Sequence, residues 1–236
     1  MATMKRIDGR KPEELRELVI KAGVLERAQG SALVKLGRTT ALAAVYGPKR
    51  LFSKHQQIPN RALLEAQYVM LPFSTDDRIR PGTSRRSTEI SKVMRLALEP
   101  VICLEEFPRA GIEIHVAILQ AEAGTRTAAI NAASVALADA GIPMKDLVTS
   151  VSAGKIDGEY VLDLVGKEED MTECDLPIAY IPREKKISLL QMDGDMPLKD
   201  VKGVLNLAIK GCEIIYEKQK QALKERWIDQ VKTTIV

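Results

Sequence analysis

Aromatic side chains are scarce in this chain of 236 residues, which has five tyrosines, three phenylalanines and one tryptophan. A surface that grips single-stranded nucleic acid by stacking base after base on aromatic rings has few platforms here, Tyr68 and Phe73 being the nearest to basic segments. Cysteine is equally sparse. Cys103, Cys174 and Cys212 are odd in number, far apart and without metal-ligand spacing, which excludes a disulfide framework and a cysteine-bound zinc site and leaves reduced core or edge residues. No run approaches the roughly 18 apolar residues of a membrane span. The charged stretch from Met1 to Glu14 lacks the apolar segment of a signal peptide. Both absences point to a cytoplasmic protein. Charge of one sign is also missing in bulk: 35 Lys and Arg against 32 Asp and Glu leave a formal +3, too little for a polycation. Any nucleic-acid site must come from local clustering.

What is present is ordinary for a folded domain, with 45% hydrophobic and 28% charged residues. Residues 5–12 form a basic, turn-rich arm before the first ordered element. Leu18 to Val24, Ser31 to Leu36 and Thr39 to Tyr46 are strand-like and separated by turn signals at Gly30 and Gly37, a β-meander. Lys49 to Arg61 is a long basic loop, and Ala62 to Met70 another strand. A helix follows Arg85-Arg86, with Ile90, Val93, Met94, Ala97 and Leu98 on one face; Pro100 bends or resets it. Gly111 to Ala121 alternates as a strand, with His115 in a structural position. After Pro143, strands at Leu147 to Ile156 and Glu159 to Leu164 flank Asp157-Gly158, a hairpin signal. An acidic connection, 167–175, precedes strands at Leu176 to Ile181 and Lys186 to Met192. A helix from Leu198 to about Trp227 closes the chain. Strand clusters followed by helices, given twice, indicate an α+β or mixed α/β architecture of β-sheets packed with helices.

Three clusters carry candidate chemistry. The first is the turn Ala123-Gly124-Thr125-Arg126, which opens a helix of small residues, Ala128 to Ala138, ending at Gly141. A cation at a helix start opposes the helix dipole by about 0.3–1 kcal/mol unless an anion lies between them. Free N–H groups, a hydroxyl, a glycine and an arginine make a phosphate or carboxylate pocket. A plain capping turn with Arg126 paired to a nearby glutamate accounts for the same residues. Arg85-Arg86 repeats the oddity at a second helix start, whereas Arg78 and Arg80 suit a solvated loop. The second cluster is the acidic run, with Asp170 and Asp175 as carboxylates able to hold Mg²⁺ or act as general acid on a strand-flanking loop; a solvated acidic turn is the alternative. The third is the basic loop with His55 and Arg61, suited to phosphate contacts along a nucleic-acid backbone or to plain surface charge. Arginine-lined anion pockets beside a carboxylate cluster fit phosphoryl transfer from a phosphate-rich substrate.

Taken together, Arg-Ile-Asp-Gly-Arg (6–10), Arg-Arg-Ser-Thr-Glu-Ile-Ser-Lys (85–92), Gln-Ala-Glu-Ala-Gly-Thr-Arg-Thr (120–127), Ala-Leu-Ala-Asp-Ala-Gly-Ile-Pro (136–143), Lys-Glu-Glu-Asp…Asp-Leu-Pro-Ile-Ala (167–179) and Leu-Leu-Gln-Met-Asp-Gly (189–194) resemble the RNase PH family. Within it they are most similar to the catalytic ring subunits of archaeal exosomes. The resemblance runs from Arg6 to about Trp227. It implies an RNase PH-type fold, like the second domain of ribosomal protein S5. Residues 1–146 would be the portion bearing the phosphate- and RNA-binding arginines and 147–236 the portion bearing the acidic catalytic residues, packed as one compact unit.

The activity implied is phosphorolytic 3′→5′ exoribonuclease action on single-stranded RNA, with inorganic phosphate as co-substrate and nucleoside diphosphate as product. The resemblance assigns phosphate binding to Gly124, Thr125, Arg126 and Arg86. Arg85 and Arg86 take RNA contacts, with His55 and Arg61 on the RNA path. Asp170 and Asp175 are assigned as catalytic and Mg²⁺-binding carboxylates. Glu169 is the alternative to Asp170, because the family's two carboxylates usually stand six residues apart and these stand five apart. Glu65 stands where relatives often carry a basic residue. Partners implied are an inactive paralogous subunit, in a trimer of heterodimers, and RNA-binding cap proteins, with no membrane. A non-catalytic ring subunit and a homohexameric tRNA-trimming RNase PH are the other readings. On the phosphorolytic reading the three clusters have to meet in space.

Overall fold

The computed structural model describes residues 6–234, with the side chains of Asp170 and residues 230–234 outside the description. The N-terminal meander forms as expected: β1 (Leu18–Ala22), β2 (Gly30–Leu36) and β3 (Thr39–Arg50) pair antiparallel. The strand β3 runs on to Arg50, so the basic segment is shorter than the sequence suggests. It retains one 3₁₀ turn at Lys54–Gln56. The strand β4 (Leu63–Met70) is parallel to β5 (Ala110–Gln120), and a parallel pair needs a crossover. Helix α1 (Arg85–Leu98) supplies it, capped by Ser84, which accepts from the Ser87 N–H at 3.0 Å. A 3₁₀ turn at Glu99–Val101, with Pro100 inside, ends it. The sheet order is β1-β2-β3-β5-β4.

Helix α2 (Thr125–Asp139) starts three residues earlier than its apolar pattern. It is buried on nearly every side, because it lies between this sheet and the second one. Its small residues make that possible: Ala128, Ala129, Ala132, Ala133 and Ala136 are all fully buried. A side chain at Gly30 would strike the backbone of Ala136 and Ala140, so β2 approaches the end of α2 only as glycine.

The second sheet contains β6 (Thr149–Ile156), β7 (Glu159–Leu162), β8 (Cys174–Ile181), β9 (Lys186–Leu190) and β10 (Asp193–Gly194). Helix α3 (Lys167–Met171) lies between β7 and β8, and α4 (Leu198–Thr234) follows β10. The turn at Asp157-Gly158 has φ +48° and +82° and closes the β6–β7 hairpin. One edge of β8 pairs with β6; the other is shared by β9 and β10. Asn131 of α2 bonds both backbone groups of Ser150, at 2.7 and 2.9 Å, and accepts from Gln219 of α4 at 3.1 Å. Those buried polar bonds fix α2 against both the second sheet and α4.

Three sequence expectations change here. The acidic segment is not one connection, since α3 takes its first half and Asp175 is the second residue of β8. The basic N-terminal arm, read as preceding the ordered elements, is anchored in the fold by Arg6. Arg6 is fully buried, donating to Glu168 at 2.6 and 3.1 Å and to the carbonyls of Leu162 and Asp163 at 2.8 Å. Tyr68 is 1% exposed, so its ring faces the core and offers no stacking platform, whereas Phe73 is exposed. The three cysteines are free, with Cys174 and Cys212 buried. Among the described residues no helix is long and apolar enough to cross a membrane.

Candidate functional site

The site forms where the start of α2, the first turn of α1, helix α3 and the outer edge of β8 meet. Gly124, the N-cap of α2, adopts φ +65°, a conformation glycine reaches at no cost, and leaves the first N–H groups of the helix without a side-chain cap. The turn is held from below. Thr39 Oγ1 donates to the Ala123 carbonyl at 2.7 Å, and Arg16 approaches the same carbonyl at 3.3 and 3.4 Å. Arg16 also grips Asp163 at 2.7 and 2.9 Å, and Asp163 lies on the segment entering α3. The buried arginines of the N-terminal segment thus tie the turn of one half to the acidic helix of the other.

These elements enclose a pocket of about 410 Å³. Arg86, Gly124, Thr125 and Arg126 line it together with Glu169, Asp175 and Asp193. Arg126 donates to Gln191 at 2.7 Å and to Glu89 at 3.2 Å. Its Nε is buried without a partner, and the Thr125 hydroxyl has only the Tyr68 phenol beside it. Buried donors left unpaired are costly unless a ligand takes them. Burial raises the phenol of Tyr68 beneath them, while Thr125 and the charges of Arg86 and Arg126 pull it down.

On the acidic side, Ser152 of β6 donates a short hydrogen bond to Asp175. Burial pushes Asp175 above the usual carboxylate range; the Ser152 bond and the charge of Arg126 oppose this, and Asp193 adds to it. Desolvation and the charge of Asp175 raise Glu169 too, against the Gly124 N–H and the charges of Arg86 and Arg16. Asp193 faces Asp175 across the β8–β10 ladder. Among the described residues no three His, Cys, Asp or Glu side chains form a ready metal cage.

Of the sequence candidates, Arg86, Gly124, Thr125, Arg126 and Asp175 therefore come together. The carboxylate of Asp170 lies outside the described residues; its neighbour Glu169 lines the pocket. Arg85, His55 and Arg61 do not line it. Arg61 is engaged by Glu99 at 2.7 Å, and His55 bonds Ser53 in the exposed connection after β3. His115 bonds Gln67 at 2.9 Å on the outer face of the first sheet. Sequence reasoning missed Glu89, Ser152, Gln191 and Asp193. Gln191 and Asp193 stand inside the Leu-Leu-Gln-Met-Asp-Gly motif and were legible there; Ser152 is one polar residue in a buried strand and gives no local signal.

Two arginines and a helix turn facing clustered carboxylates, on a frame of one mixed and one antiparallel sheet, define an α+β enzyme that handles phosphate groups. Family models described as the 3′ exoribonuclease family, domains 1 and 2, match residues 14–143 and 146–211. The chain is 55% identical to the exosome complex component Rrp41 of Methanopyrus kandleri over 94% of its length and 93% of that protein's. It is 53% identical to the protein of that name from Pyrococcus horikoshii, over 95% and 90%. The crystal structure of rice (Oryza sativa) Rrp46 superposes with a TM-score of 0.84 at 25% identity, covering 93% of this chain and 100% of that one. The chain belongs to the RNase PH-type 3′ exoribonuclease family.

Proposed function

We propose that this chain is the catalytic subunit of an exosome-type ring that shortens single-stranded RNA from its 3′ end by phosphorolysis. The observation that carries this reading is the meeting of Arg86, the Gly124-Thr125-Arg126 turn and Asp175 in one pocket. An oxygen of inorganic phosphate attacks the phosphorus of the last phosphodiester. The bond from that phosphorus to the 3′ oxygen breaks, and the terminal residue leaves as a nucleoside diphosphate. Two anions have to approach each other. Arg86, Arg126 and the N–H groups of α2 offset their repulsion, and the turn orients the attacking phosphate. The raised Asp175 is suited to deliver the proton that the departing 3′ oxygen needs.

A Mg²⁺ ion fits this donor set. The charges of Glu169 and Asp175 disfavour one another, a conflict that a cation relieves. Asp175, with Asp170 or Glu169, would hold it, and it would supply charge neutralisation at the phosphates. Arg85, His55 and Arg61 are assigned to the RNA path outside the pocket. The partners are an inactive paralogous subunit, in a trimer of heterodimers, and RNA-binding cap proteins, in the cytoplasm. The similarity to archaeal exosome components supports the ring reading over a homohexameric tRNA-trimming enzyme.

The test is incubation of 5′-labelled single-stranded RNA with the chain, with and without its paralogous subunit and phosphate. A ladder that needs phosphate supports the reading; unchanged shortening in its absence overturns it.

A further inference from the structure

One carboxylate in the pocket has no part in phosphate attack or proton delivery. Glu89 lies on α1 one turn beyond Arg86, on the same helix face. Its Oε1 accepts from Arg126 at 3.2 Å and from Gln191 Nε2 at 3.3 Å, both at the long end for hydrogen bonds. Its Oε2 takes part in neither bond, and the side chain is 49% exposed. Gln191 is held in turn by the shorter bond it accepts from Arg126, at 2.7 Å. A carboxylate on the arginine side of a phosphate pocket repels both the attacking phosphate and the RNA backbone, unless the substrate brings a donor to it.

RNA has few donors to offer. The amino groups of its bases differ from residue to residue, so an enzyme that removes each nucleotide in turn meets a constant donor only in the ribose hydroxyls. Of these, the 2′ hydroxyl is the one DNA lacks. The geometry points to Glu89, held in place by Gln191, as the acceptor of the terminal 2′ hydroxyl and hence as the residue that separates RNA ends from DNA ends. This inference rests on the phosphorolytic reading above. A site built to bond a hydroxyl rejects the analogue without it, because the acceptor is then left unpaired beside the phosphates.

The experiment uses the full chain assembled with its paralogous subunit. Two 5′-labelled RNAs, identical except that one ends in a 2′-deoxynucleotide, are compared by kcat/KM for the first cleavage. The wild type is expected to favour the ribose end by about tenfold or more. Glu89→Ala is expected to collapse that ratio, slowing the ribose end more than the deoxyribose end. Glu89→Gln, which keeps an uncharged acceptor, should fall between. An unchanged ratio in Glu89→Ala overturns the inference and leaves Glu89 as a counter-ion of Arg126, as does a wild type without preference. Failure of the wild type to release nucleoside diphosphate from the all-ribose RNA would instead strike the phosphorolytic reading itself.

Discussion

Arg16 holds Asp163 by two charge-assisted bonds, 2.7 and 2.9 Å long, directly beneath the turn that opens α2. Both side chains are almost wholly buried. The pair connects a residue of the N-terminal segment to the strand exit that leads into α3, with the Ala123 carbonyl as its third point. Removing one partner strands a buried charge. Arg16→Ala or Asp163→Ala should cost about 3–5 kcal/mol, measured by chemical denaturation. A loss below about 1 kcal/mol would show that water or neighbouring groups take over the pairing.

Arg126→Ala should raise the KM for phosphate by about 10- to 100-fold, the worth of a charge-assisted hydrogen bond. Steady-state rates at varied phosphate and saturating RNA measure it. An unchanged phosphate dependence would remove Arg126 from the phosphate site.

Asp175→Asn separates function from stability. Loss of the acid should slow phosphorolysis by about 10²- to 10⁴-fold. The folded protein meanwhile gains stability at neutral pH. Burial raises the carboxyl in the folded state, so ionising it there costs more than in the unfolded chain. That penalty is absent below the ordinary carboxylate pKa, grows as pH rises through the folded value and is complete above it. Denaturation of both proteins across pH should therefore show a stabilising difference at pH 7 that vanishes in acid. A difference independent of pH would contradict it.

Thiol accessibility tests the packing of α4 on the second sheet, where Cys174 and Cys212 are buried. Burial pushes Cys212 up to about 12 and raises Cys174 as well, with Asp175 adding to the latter. A thiol reagent at pH 8 should leave both unmodified in the native protein and label them only on unfolding. Rapid native labelling of Cys212 would contradict the packing of α4 on β6.

Much of this architecture was legible in the sequence, because periodicity and turn chemistry are local. The β1–β3 meander, the Asp157-Gly158 hairpin and the core stripe of α1 all follow from neighbouring residues. So does the Gly124 turn, where Arg126 pairs with Glu89 and also lines the pocket. What stayed hidden depends on distant contacts. Arg6 read as part of a basic, turn-rich arm and Arg16 carried no signal, and only the fold supplies Glu168 and Asp163, more than a hundred residues away, as buried partners. Tyr68 read as a stacking platform because it is near basic segments, yet the pleat of β4 turns it inward. Asp175 read as a loop residue because the acidic run masks the start of β8.

The central claim is that inorganic phosphate, held by the Gly124-Thr125-Arg126 turn, is the attacking group. Radiolabelled inorganic phosphate supplied with unlabelled RNA and the assembled ring tests it most directly. The account predicts label in the β-phosphate of the released nucleoside diphosphates, one label for each residue removed, and its loss at the same phosphate concentration in Arg126→Ala. Unlabelled nucleoside monophosphate as the product would contradict it.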